Sequence, residues 1–167
     1  MLEDSGVDTE LLSSYQMHAC CCMAVISKNT MQRISSYVEF AIALRGRKQT
    51  GQSFHVTFIC KKRKVIAIGV NSYTKLCPSH RVGPYLPNKT QRKDTYIPGL
   101  HSEIAAIIKA GYTDCSDLVF FNIRINNHDE VAPSKPCPNC QRVLSQVGFK
   151  SIYYFDKKGT WEVMKNS

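Results

Sequence analysis

Residues 135–144, KPCPNCQRVL, set two cysteines three positions apart, behind a proline and at the head of an apolar run. Cys140, Val143, Leu144 and Val147 recur at helical spacing, so the cysteine pair opens a helix. Upstream, DLVFFNIRI (117–125) reads as a buried strand. Before it, HSEIAAIIKAG (101–111) reads as a second helix, with Ile104, Ile107 and Ile108 on one face and Gly111 in the C-terminal cap position. With one strand between them, both helix starts can face the same end of a sheet.

Cys137 and Cys140 make half of a tetrahedral metal site, and His101 at the other helix start is the nearest third ligand. Helix N-termini carry positive partial charge, which lowers thiol pKa values and favours thiolates. Three protein ligands leave a fourth position open, which marks a catalytic rather than a structural zinc. Two thiolates and a neutral imidazole leave such a centre formally neutral, so an activated water needs a nearby base to take its proton. Glu103, two residues past His101, is placed for that task.

The remaining elements extend this frame. RISSYVEFAIALRGR (33–47) sets Ile34, Val38, Ala41, Ile42 and Arg45 at helical spacing, and Gly46 can stop the helix. FHVTFICKKRKVIAIGVN (54–71) reads as a hairpin with a basic turn at Lys61–Lys64 and a second strand ending at Gly69. From Asn71 to Leu100 the chain has four prolines (Pro78, Pro84, Pro87, Pro98) and little periodicity, as in lids and binding loops. SIYYFD and TWEVM, joined through KKG, finish as an antiparallel hairpin because the link is too short for a crossover. The order predicts an α/β fold: a three-layer α/β/α sandwich around a five-stranded mixed sheet. Residues 1–30 read as an N-terminal extension and 31–167 as the folded domain.

A chain of 167 residues, 43% hydrophobic and 21% charged, fits one globular domain with its own core. The net charge of +9 favours anionic partners, nucleotides or nucleic acid among them. Seven basic residues and no acidic one lie between Arg45 and Lys64, and Lys75, Arg81, Lys89, Arg92 and Lys93 form a second cluster. Each reads either as a solvated face or as a phosphate contact. Three of the eight cysteines are consecutive, Cys20–Cys22, an awkward start for a disulfide framework. The acidic N-terminus lacks the basic region of a secretory signal, and the uncharged stretch 11–27 is too short and polar to span a bilayer. A reduced, cytoplasmic setting and no membrane partner are expected.

HSE followed by PCPNC matches the pattern H-x-E…P-C-x-x-C, and on those motifs residues 31–163 resemble the zinc-dependent cytidine/deoxycytidylate deaminase superfamily. GVNSYTK, LHSEIAAI and KPCPNC are most similar to compact phage-type members. The resemblance implies one Zn2+ held by His101, Cys137 and Cys140, with Glu103 as the proton carrier and not a ligand. It implies hydrolytic deamination at C4 of a cytosine ring. Asn71 in GVN matches the family asparagine that contacts the sugar or base; the alternative is an ordinary strand-end turn residue. Ser134 and Lys135 stand where members use main-chain groups to recognise the exocyclic amine. Lys135 departs from the Glu or Thr common there, which bears on selectivity or phosphate affinity. Arg124, Asn126, Tyr154 and Tyr73 read either as substrate contacts or as surface and packing residues.

Cys77 and His80 fall where some deoxycytidylate deaminases carry a second zinc, a weak signal without a partner pair. Cys115 and the Cys20–Cys22 run read as ordinary thiols, and His18, His55 and His128 as surface or packing residues. Relatives acting on tRNA adenosine, and the nucleic-acid cytosine editors, have a parallel final strand pair. Free-nucleoside members share the hairpin but carry cysteine at the position of His101. The expected substrate is a free cytosine nucleotide or nucleoside, deoxycytidylate among them, and a homo-oligomer is expected. The alternatives are a single-stranded DNA or RNA cytosine deaminase and a non-catalytic zinc-stabilised nucleic-acid-binding module. The intact Glu103 weighs against the last, since a structural site gains nothing from it.

Overall fold

A computed structural model of the chain describes residues 27–46, 53–73, 99–111 and 114–166. The elements run α1 (Lys28–Gly46), β1 (Phe54–Lys61), β2 (Lys64–Val70), α2 (Ser102–Ala110), β3 (Leu118–Ile125), β4 (Val131–Ala132), α3 (Pro138–Val147), β5 (Ser151–Phe155) and β6 (Trp161–Lys165). Helix α1 begins at Lys28, inside the stretch expected to be extension. The sheet order is β2-β1-β3-β5-β6, the five expected strands, and β4 adds a sixth by pairing with β3. Only β3 and β5 run parallel; the other pairs, the final hairpin included, are antiparallel.

Strand alternation divides the core between the two faces of the sheet. Toward α1 point Phe54, Val56, Phe58 and Cys60 of β1 and Phe121, Ile123 and Ile125 of β3, against Ile34 and Ala41. Tyr37 stacks on Phe58 at 4.6 Å, and Phe121 on Tyr153 at 5.0 Å between ring centroids. The opposite face carries Ile59, Leu118, Phe120 and Ile152 against Ile104, Ala106 and Ile107 of α2 and Val143, Leu144 and Val147 of α3. Burial of each such side chain contributes on the order of 1.5–3 kcal/mol before chain entropy is counted.

Three local features set where α2 and α3 begin. Gly69 of β2 lies directly under α2: a Cβ there would stand 2.1 Å from the Ser102 carbonyl oxygen and 2.4 Å from the Ala106 nitrogen. Ser72 and Leu100 exchange backbone hydrogen bonds of 2.8 and 2.7 Å, which tie the ends of the 71–100 connection together beside the start of α2. Strand β4 pairs with β3 beyond the reach of β5, and Ser134 then donates its N–H to the Phe155 carbonyl at 2.7 Å. That bond delivers the chain to Pro136 and the start of α3.

Candidate active site

Each helix presents its own N-cap residue as a donor. His101 caps α2 in extended backbone geometry and makes no side-chain cap bond, which leaves its ring available. Cys137 caps α3 with Pro138 following it, and its Sγ accepts from the Cys140 N–H at 3.5 Å. Cys140 comes one helical turn later and is fully buried. His101 Nδ1 lies 3.5 Å from Cys137 Sγ and 3.3 Å from Cys140 Sγ. The three ligand atoms all fall within 4.8 Å of one another. One imidazole nitrogen and two sulfurs in that space are a donor set for zinc.

With only protons to satisfy them, these groups are in conflict. Hydrogen bonding from Cys140, against the cost of burial and with help from His101, holds the Cys137 thiol down to about 4. The Cys140 thiol is pushed up by the adjacent Cys137 sulfur and by burial. His101 is raised by its bond to Cys137. A divalent cation between them favours both thiolates at once.

Glu103 is buried in the first turn of α2, and burial raises its pKa. It opens onto a cavity of about 130 Å³ lined by His55, Asn71, Ser72, Tyr73, Leu100, His101, Ser102, Glu103, Lys135 and Cys137. Among those lining residues Glu103 is the sole carboxylate.

The expected substrate residues separate into two groups. Asn71 and Lys135 line the cavity; Ser134, Arg124 and Tyr154 do not. Asn71 also fastens β1 to β2, because its Oδ1 accepts from the His55 N–H at 2.9 Å and its Nδ2 donates to the Ser53 carbonyl at 3.0 Å. Lys135 is exposed at the rim, with its ammonium 5.8 Å from the centre of the Tyr154 ring. Ser134 is buried, donating its Oγ–H to the Asn122 carbonyl at 2.6 Å and accepting from the Phe155 N–H at 2.9 Å. Arg124 Nη2 donates to Ser53 Oγ at 2.8 Å. The Tyr154 hydroxyl donates to Glu162 at 2.6 Å. Asn126 turns the β3–β4 hairpin, accepting from the His128 and Glu130 N–H groups. Cys77 and His80 lie outside the described residues.

His55, Ser72, Leu100 and Ser102 are cavity residues that sequence reasoning missed. His55 had a signal: two residues before Thr57 on β1, it shares the face that looks toward α2, directly across from Arg124. Burial, then the Arg124 and His101 charges, lower its pKa from 6.5 to about 4, so a neutral ring faces the cavity.

The family model for the cytidine and deoxycytidylate deaminase zinc-binding region matches residues 31–156. The chain belongs to that family. It is therefore a zinc-dependent hydrolytic deaminase, and His101, Cys137 and Cys140 are the residues positioned for its metal. No curated protein matches the sequence. Among solved structures, the dCMP deaminase of the cyanophage S-TIM5 in apo form is 18% identical over 75% of this chain and 84% of its own, with a TM-score of 0.45. The same phage enzyme in complex with dCMP and dUMP is 18% identical over 80% and 85%, with a TM-score of 0.48. No helix among the described residues is long and apolar enough to cross a membrane.

Proposed function

We propose that the chain hydrolyses the exocyclic amine of a cytosine base in a free nucleotide, deoxycytidylate being the first candidate, to give the uracil nucleotide and ammonia. The observation that carries this reading is a buried carboxylate, Glu103, at the wall of a cavity that also exposes His101 and Cys137. When bound, zinc lowers the pKa of water enough to supply a nucleophile at neutral pH. Glu103 accepts one proton as water adds to C4 and passes it to ring N3, then takes the second from the new C4 hydroxyl and gives it to the amine, which leaves as ammonia. A carboxyl group whose pKa is raised by burial suits both halves of that transfer. Asn71, the neutral His55 ring and the apolar Leu100 line the cavity that would receive the base. Lys135, an exposed cation among the cavity residues, favours a phosphate-bearing substrate over a nucleoside.

Two measurements test the reading. Ammonia release from deoxycytidine monophosphate, deoxycytidine and a single-stranded oligonucleotide should be fastest with the monophosphate; preference for the oligonucleotide would move the chain to the polynucleotide class. Glu103→Gln should retain stoichiometric zinc and lose about 10³-fold in kcat. Retained turnover would remove Glu103 from the reaction.

A further inference from the structure

Beneath Glu103 the sheet carries polar side chains that neither hold metal nor line the cavity. Thr57 of β1 and Asn122 of β3 are cross-strand partners, and both are buried, at 0% and 1% exposure. Two residues further along the same face stand Ile59 and Phe120, also partners and wholly apolar. Buried polar groups cost stability unless fully paired, and an apolar pair of similar shape would serve a purely structural role at least as well. Their hydrogen bonds lead, through Asn122, to the side chain of Glu103.

Asn122 has a fixed polarity. Its Nδ2 donates to the Ser134 carbonyl at 2.6 Å, an atom that can only accept, so the amide cannot be reversed. The second Nδ2 hydrogen goes to Glu103 Oε1 at 3.2 Å. Asn122 Oδ1 accepts from the Thr57 hydroxyl at 2.8 Å. That hydroxyl also lies 2.9 Å from Ser102 Oγ, which stands 3.2 Å from Glu103 Oε2. Ser134 locks the peptide of Asn122 in turn by donating to its carbonyl. Glu103 Oε1 is thereby held from the sheet by Asn122, and Oε2 by Ser102 of its own helix, whose hydroxyl rests against Thr57.

We infer that Asn122, seated by Thr57, is a positioning residue that fixes the orientation of the Glu103 carboxylate toward the cavity. The inference rests on the reading of Glu103 as the proton carrier. Thr57 is the cleanest place to test it, because it touches neither Glu103 nor a metal-binding side chain in any hydrogen bond. Its influence must travel through Asn122 and Ser102.

The experiment compares zinc-loaded wild type, Thr57→Val, which keeps the shape and deletes the hydroxyl, and Thr57→Ser, which restores it. In Thr57→Val, kcat for the cytosine nucleotide should fall about tenfold, with KM and zinc content unchanged. Its crystal structure should show the Glu103 carboxylate displaced or split between two rotamers. Thr57→Ser should recover most of the rate and the single Glu103 position. An unmoved Glu103 in Thr57→Val, or a Thr57→Ser variant as impaired as Thr57→Val, overturns the inference. If wild type turns over no cytosine substrate, the functional reading fails, and the Glu103 position in Thr57→Val still decides this one. Should Thr57→Val not fold, Asn122→Ala removes the donor to Oε1 and asks the question directly: a displaced Glu103 supports the inference and an unmoved one refutes it.

Discussion

The two faces of the sheet are built from the same strands and serve opposite ends. Toward α1, every inward residue of β3 is apolar: Phe121, Ile123 and Ile125. Toward α2 and α3, the same strand presents Leu118 and Phe120, then Asn122 and Arg124. The first face is uniform along its length. The second changes from hydrocarbon to hydrogen-bonding groups about halfway, where the starts of α2 and α3 come together. A buried polar patch of that kind subtracts from stability, so the uniform face and the apolar half of the other must supply the surplus. Holding the fold and holding the reacting groups are thus assigned to different surfaces of one sheet, a single strand thickness apart.

The division can be broken by experiment. Phe121→Ala, on the α1 face, should cost about 3–5 kcal/mol in denaturant unfolding. Zinc stoichiometry and kcat per folded molecule should hold; a parallel loss of kcat would show that the two faces are coupled.

Acid tests the polar half. Folded His55 stays neutral down to about pH 4, whereas the unfolded chain protonates a histidine near 6.5. The unfolded state therefore takes up its proton first, and stability is lost as pH falls through that window. The loss should be on the order of 2 kcal/mol between pH 6.5 and 4, and His55→Asn should flatten that part of the profile. An unchanged slope would mean that His55 is not held neutral by its setting.

The smallest effect belongs at the rim. Lys135→Ala should weaken binding of a cytosine monophosphate by about 1 kcal/mol, roughly fivefold in KM, and leave the nucleoside unaffected. Equal losses for both substrates would place Lys135 against the base or the sugar instead.

What could be read from the sequence follows from how local each signal is. His101 and Cys137 announce themselves because each caps a helix start beside a proline or an apolar run, and Cys140 follows Cys137 by one helical turn. The final hairpin is equally plain, since only a few residues join its strands. Asn122 is a different case. It sits in a run of β-branched and aromatic residues that reads simply as buried, and nothing nearby says that its amide faces a glutamate on another element. Period-two polarity inside a buried strand, Asn122 then Arg124, was the available clue. Thr57 and Ser102 gave less, because threonine is common in strands and serine at helix starts. Ser134 shows the reverse: it adjoins the metal motif in sequence, yet β3 and β5 claim its side chain, a tertiary demand that spacing does not reveal.

Gly69 has a consequence for how far this site can vary. No side chain separates β2 from the first turns of α2, so strand and helix backbones rest directly on each other. Any larger residue at 69 would act as a shim, lifting the helix that carries His101 and Glu103 away from the cysteines of α3. A mutation well outside the cavity would then register first as impaired zinc retention, a fault that added metal would relieve and a stabilising change elsewhere would not.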